Sequence, residues 1–125
     1  MIGRSSAEGR RTASFTESEA TYLAENFLGR VATVSRGGHP HVVPVSYKFD
    51  GKTIAFGGWG LESSLKYKHL MANPHVAFVV DDIASTDPWR VRGIEVRGEA
   101  ELTTSDGVSM IVIFPLNIRS WGLGY

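Results

Sequence analysis

Val31-Ala32-Thr33-Val34-Ser35, the turn Arg36-Gly37-Gly38, the run His41 to Phe49, the pair Asp50-Gly51 and the run Lys52 to Phe56 follow one another closely, and they decide the fold. The first run is apolar and β-branched at period two, which reads as a strand, and the glycines after it read as a tight turn. In the second run Val43, Val45, Tyr47 and Phe49 share one face, while Val42, Pro44, Ser46 and Lys48 share the other. Asp50-Gly51 is a strong hairpin signal, so Lys52 to Phe56 becomes a third strand. Strands joined by such short turns must be antiparallel. Pro44 has no N–H for a ladder and therefore marks an edge or a bulge.

Upstream, Thr16-Glu17-Ser18-Glu19 is a capping box. Ala20, Leu23, Ala24 and Phe27 then recur at helical spacing, and Gly29 is expected to end that helix. Downstream, Gly57-Gly58-Trp59-Gly60 interrupts the sheet. A second helix is expected from about Ser63 to Asn73, with Pro74 as its stop. His75 to Ile83 is apolar on both faces, as suits a strand inside a barrel. Ala84 to Arg92 reads as a loop, Gly93 to Thr103 as an alternating strand, and Met110 to Ile118 as the last strand. The expectation is a mainly β fold: a six-stranded antiparallel barrel with two short helices, closed so that few edges stay exposed. Residues 1–14 read as a flexible tail and 15–125 as one domain.

With 125 residues the chain can bury a core without disulfides. Thirteen basic and thirteen acidic residues cancel, which argues against a nucleic-acid binder. The absence of cysteine excludes thiolate nucleophiles and Cys-ligated zinc, and it fits a cytoplasmic protein. No apolar run is long enough to span a bilayer. Arg10-Arg11 lacks the hydrophobic stretch that an export signal needs.

The stretch Phe56 to Pro74 carries the chemistry. It runs from a strand through glycines into a helix start bearing Ser63, Ser64 and Lys66. Helix N-termini bind phosphate through free amides and the positive end of the dipole. Lys66 adds a point charge, and Gly57, Gly58 and Gly60 let a ring or phosphate approach the backbone. The same residues also read as an ordinary cap, an ordinary turn and solvated lysines.

The chain resembles the split-barrel flavoproteins related to pyridoxamine-phosphate oxidase, and within them the branch that uses the deazaflavin coenzyme F-420. The resemblance covers roughly Phe15 to Trp121. It rests on Leu28-Gly29-Arg30-Val31-Ala32-Thr33-Val34, on Pro40-His41-Val42-Val43-Pro44-Val45, on Ser64-Leu65-Lys66 with Asn73-Pro74, on Asp87-Pro88-Trp89-Arg90 with Gly93-Ile94-Glu95-Val96-Arg97-Gly98, and on Ser120-Trp121-Gly122. It implies a homodimer with the cofactor between subunits, FMN being the alternative cofactor. It implies that Lys66 contacts the cofactor phosphate with Ser64 beside it, and that His69, one turn on, assists. It further implies that Pro44, Val45 and Ser46, with Gly57, Gly58 and Trp59, flank the ring system. Leu65 and Val43 replace basic residues of the oxidases, and the oxidases' C-terminal substrate region is missing. Pyridoxal phosphate synthesis is thereby disfavoured and F-420 favoured.

Trp121 reads either as a core aromatic or as a group reaching a neighbour's cofactor, and Trp89 as a core or lid aromatic. His39 and His41 could ligate zinc but have no evident third partner. Asp81-Asp82 is expected to end a strand without catalytic work. The function expected is an oxidoreductase passing hydride from F-420 to a small organic substrate. An FMN-dependent reductase or oxidase and a non-catalytic cofactor carrier are the alternatives. No catalytic acid or base is assigned, because the cofactor carries the chemistry.

Overall fold

The computed structural model describes residues 12–58 and 60–123. Helix α1 (Glu17–Glu25) starts at the expected box. The Thr16 hydroxyl accepts the Glu19 N–H at 3.2 Å, and the Glu19 carboxylate accepts the Thr16 N–H at 2.9 Å. The helix stops at Asn26, before Gly29, and the Asn26 side chain donates to the Tyr22 carbonyl at 2.8 Å. Its buried face is Glu19, Tyr22 and Leu23, while Phe27 lies outside the helix and is exposed. Gly29 belongs instead to β1 (Leu28–Val34), against the ring of Phe78.

The remaining elements are β2 (Pro40–Ser46), β3 (Lys48–Phe49), β4 (Ile54–Gly57), a 3-10 turn at Leu61–Ser63, α2 (Leu65–Ala72), β5 (His75–Thr86), β6 (Trp89–Ser105) and β7 (Val108–Trp121). One antiparallel sheet takes the order β2-β1-β5-β6-β7-β4-β3. Only Tyr47 separates β2 from β3, although they stand at opposite ends of that order. One residue spans at most about 3.6 Å, so the sheet must curl until its two ends meet. β2 then lies beside β4. No hydrogen-bonded ladder joins these two strands among the described residues, so the barrel is split there. Phe56, Phe78, Ile94, Ile111 and Ile113 fill its interior.

Among the described residues the sheet has seven strands rather than six, because the run His41 to Phe49 breaks at Tyr47. The Tyr47 N–H donates to the Phe27 carbonyl (3.0 Å), and its hydroxyl donates to the Leu23 carbonyl (2.7 Å). The ring meets Phe78 edge-on at 5.4 Å. Tyr47 thus marks the end of β2, and its hydroxyl anchors α1. Pro44 does lie on an edge strand of the hydrogen-bonded order. Ala84 to Arg92 is not a loop: β5 and β6 pair as far as Thr86 and Trp89, with a bulge between Ile83 and Ser85. Asp81 and Asp82 accordingly sit inside β5 and not at a strand end. Most of the expected tail, residues 1–11, lies outside the described residues. At Ala13 the chain is already tied to β7, its N–H donating to the Pro115 carbonyl at 2.9 Å. Among the described residues no helix is long and apolar enough to cross a membrane.

Candidate functional site

Gly57 ends β4 against β7, where a Cβ would stand 2.9 Å from the Met110 sulfur. Gly58 and Gly60 take positive φ of 112° and 71°, which glycine alone adopts without strain. Trp59, expected to flank the cofactor ring, lies outside the described residues. The Leu61 N–H donates to the Gly58 carbonyl (3.2 Å), closing the turn that leads into α2.

Ser64, not Ser63, is the N-cap of α2, so the helix begins at Leu65. The Ser64 oxygen accepts the Tyr67 N–H at 3.2 Å, and its proton goes to the Leu61 carbonyl at 2.6 Å. The Ser63 hydroxyl similarly donates to the Gly60 carbonyl at 3.0 Å. Both serine protons are therefore used to shape the turn. The donors left for a ligand are the first-turn amides of Leu65 and Lys66, which have no intrahelical acceptor, and the Lys66 ammonium. Lys66 is half-buried and has no hydrogen-bond or ion-pair partner among the described residues.

One turn further, His69 Nδ1 stands 3.0 Å from the hydroxyl of buried Thr33 on β1. Its ring meets that of His41 edge-to-face, with centroids 5.2 Å apart. His41 Nδ1 is buried without a hydrogen-bond partner. Sequence reasoning placed His69 near the site and set His41 aside as half of a metal pair. The contact between them joins β2 to α2, a long-range fact that no local pattern carries.

On β2, Pro44 and Ser46 are exposed while the Val45 side chain is buried in the core, which leaves its backbone for a ligand. β2 lies beside β4, and α2 packs on β1, so Pro44 to Ser46, Gly57, Gly58, Ser64, Lys66 and His69 belong to elements, or to the turn between them, next to the split of the barrel. Trp121 does not join them within one subunit. Gly57 pairs with Met110 near the start of β7, and Trp121 is the last residue of that strand. There the indole lies across Gly93, where a Cβ would stand 2.6 Å from Cζ2. Trp121 is 38% exposed and Trp89 65%, so neither is a core aromatic.

Asp82 is held in a separate network. Arg92 grips its carboxylate through two bonds (2.8 and 2.9 Å), and the Tyr22 hydroxyl donates to it at 2.7 Å. Arg92 and then Tyr22 keep the Asp82 carboxyl below the usual carboxylate range. Burial, followed by the bond to Asp82, raises Tyr22 above its ordinary value. Asp81 pairs with Arg30 across β1 and β5. These pairs fasten α1 and neighbouring strands together and engage both acids structurally.

A curled antiparallel barrel split along one side, with glycines, a helix start and an unpaired lysine at the split, defines a split-barrel cofactor-binding protein. The family model described as pyridoxamine 5'-phosphate oxidase matches residues 15–114, and the chain belongs to that family of flavin-binding oxidoreductases. It is 39% identical over 119 residues to the 5a,11a-dehydrotetracycline/5a,11a-dehydrooxytetracycline reductase of Streptomyces rimosus, covering 87% of this chain and 84% of the relative. A solved F420 reductase is 25% identical with a TM-score of 0.67, covering 84% of this chain and 98% of that one. The conserved hypothetical protein Rv2991 of Mycobacterium tuberculosis shares the fold at a TM-score of 0.72 and 21% identity, covering 90% and 88%.

Proposed function

We propose that this chain is the protomer of a cytoplasmic, homodimeric oxidoreductase that uses F-420 to deliver hydride to a small organic substrate. The observation that carries this reading is the partner-free, half-buried Lys66 on the first turn of α2, at the split of a barrel similar to an F420 reductase. The 39% identity to a reductase of an organic molecule supports the substrate class. The residues present fit a phosphate-bearing cofactor. They offer free helix amides, one ammonium, an orphaned imidazole nitrogen at His41, and open space beside Gly58, where a Cβ would meet nothing within 4 Å.

When bound, a reduced deazaflavin supplies the hydride, and the protein supplies position and exclusion of water. Lys66 and the Leu65 and Lys66 amides hold the phosphate. Ser64 keeps those amides aimed outward by locking the turn. Gly57, Gly58 and the backbone of Pro44 to Ser46 border the ring. A partner subunit would supply Trp121, because its own α2 is out of reach, and this is the reason to expect a dimer.

A fluorescence titration with oxidised F-420 and, separately, with FMN tests the reading. Tight F-420 binding with weak FMN binding is expected, and Lys66→Ala should weaken it about tenfold or more, the worth of one charge-assisted hydrogen bond. Preference for FMN would reassign the cofactor. Tight F-420 binding without turnover on any acceptor would make the protein a carrier. Unchanged affinity in Lys66→Ala would remove the phosphate site from α2.

A further inference from the structure

The orphaned nitrogen of His41 is the only buried side-chain nitrogen or oxygen without a partner among the described residues. Native interiors rarely leave such an atom unmatched, and each one calls for an explanation. His41 faces Thr33 across the β1–β2 ladder. The Thr33 hydroxyl lies 3.0 Å from His69 Nδ1, and the two imidazoles meet edge-to-face at 5.2 Å and 87°. His69 follows Lys66 by three residues, hence on the same face of α2. Two imidazoles thus meet where β2 meets α2, one helical turn from Lys66.

No acid is paired with them among the described residues. Asp81 is taken by Arg30, Asp82 by Arg92, Glu62 by Ser109 and Glu19 by Ser120. Nitrogen donors gathered without a carboxylate are complementary to an anion brought from outside. His69 is already engaged by Thr33, whereas the buried Nδ1 of His41 has no partner, so His41 is the member left to pair with an anion seated beside it.

We propose that His41 is a phosphate ligand of the cofactor site, donating through Nδ1 from β2 opposite Lys66 of α2, with Thr33 and His69 holding its ring in place. The proposal rests on the phosphate reading at Lys66. It adds a donor from a second element, so that the anion bridges β2 and α2 across the split.

The test compares His41→Phe, which keeps a ring against His69 but removes both nitrogens, with His41→Asn, whose amide stands in for Nδ1. Affinities are measured by fluorescence for F-420, for FMN and for riboflavin, which lacks the phosphate. His41→Phe should weaken binding of the preferred phosphate-bearing cofactor about tenfold or more and leave riboflavin unaffected. His41→Asn should stay within a few-fold of the natural protein. In the natural protein, inorganic phosphate should shift the His41 Nδ1 resonance in side-chain nitrogen NMR, a readout that survives if a variant misfolds. If His41→Phe binds the cofactor normally while Lys66→Ala does not, His41 is no ligand and the phosphate reading stands. If both variants bind normally, the phosphate reading falls and takes the proposal with it. Equal losses for riboflavin and the phosphate-bearing cofactor, or an Nδ1 resonance indifferent to phosphate, would also overturn it.

Discussion

Gly29→Ala should destabilise the protein although strand geometry alone favours alanine. Gly29 lies inside β1 opposite Val45 without a positive φ, so the backbone does not require glycine. Replacing it would ordinarily gain roughly 0.4–1 kcal/mol by restricting the unfolded chain. The new Cβ, however, would stand 2.7 Å from Cε2 and 3.1 Å from Cε1 of Phe78. Phe78 is 1% exposed, and its ring is braced edge-on by Tyr47, so it cannot swing clear. Overpacking of that kind costs about 1–3 kcal/mol, which leaves a net loss on the order of 1–2 kcal/mol. At this chain length that corresponds to a drop of roughly 4–8 °C in Tm, or a lowered urea midpoint with an unchanged slope. The mechanism is tested by coupling. Phe78→Leu removes the ring atoms that collide and should by itself cost about 2 kcal/mol in lost burial. In the Phe78→Leu background, Gly29→Ala should cost nothing or stabilise slightly. An equal cost of Gly29→Ala in both backgrounds would refute the argument, because the two sites would then be independent.

Tyr47→Phe removes the buried hydroxyl that donates to the Leu23 carbonyl at 2.7 Å. It should cost about 1–2 kcal/mol, with amide exchange in the last turn of α1 accelerating more than in β5 or β6. Asp82→Asn should weaken the attachment of α1 to the β5–β6 ribbon by about 0.5–1 kcal/mol at neutral pH, the pair being partly solvated. The folded Asp82 carboxyl is depressed, so its contribution is complete above the unfolded value near 3.9 and is lost as pH falls through the folded value. Denaturant midpoints of the natural protein and the variant should therefore converge in acid, and a gap of constant size from pH 7 to about pH 2 would contradict the assignment.

The alternation of Val43, Val45, Tyr47 and Phe49 and the Asp50-Gly51 turn made the first hairpins legible, because period two and turn chemistry are local. The break at Tyr47 was hidden, because the acceptors of its N–H and hydroxyl lie on the chain at Phe27 and Leu23. Gly29 looked like a helix stop since glycine serves both purposes. Only the approach of Phe78 from β5 shows which one applies. Ala84 to Arg92 reads as a loop because Asp87-Pro88 is turn chemistry, while the pairing that extends around it depends on cross-strand register. At the site, Lys66 and the glycines stood out locally. The exchange of capping roles between Ser63 and Ser64 turned on one residue of helix start, and the His41–His69 contact required the whole fold.

The position of the candidate site follows from how the barrel fails to close. A sheet edge left open invites another strand to pair with it, so an open seam needs edges that do not pair readily. On β2 the Pro44 nitrogen carries no hydrogen, and an antiparallel ladder admits proline only where that nitrogen points away from its partner strand. Pro44 is registered with Arg30 of β1, so position 44 offers no donor toward β4. β4, for its part, stops at Gly57, where the chain turns away through positive-φ glycines into α2. The seam thus lacks a donor at Pro44 on β2, while the start of α2 offers free amides. That difference would suit the proposed ligand, with its flat ring against the strands and its anion at the helix.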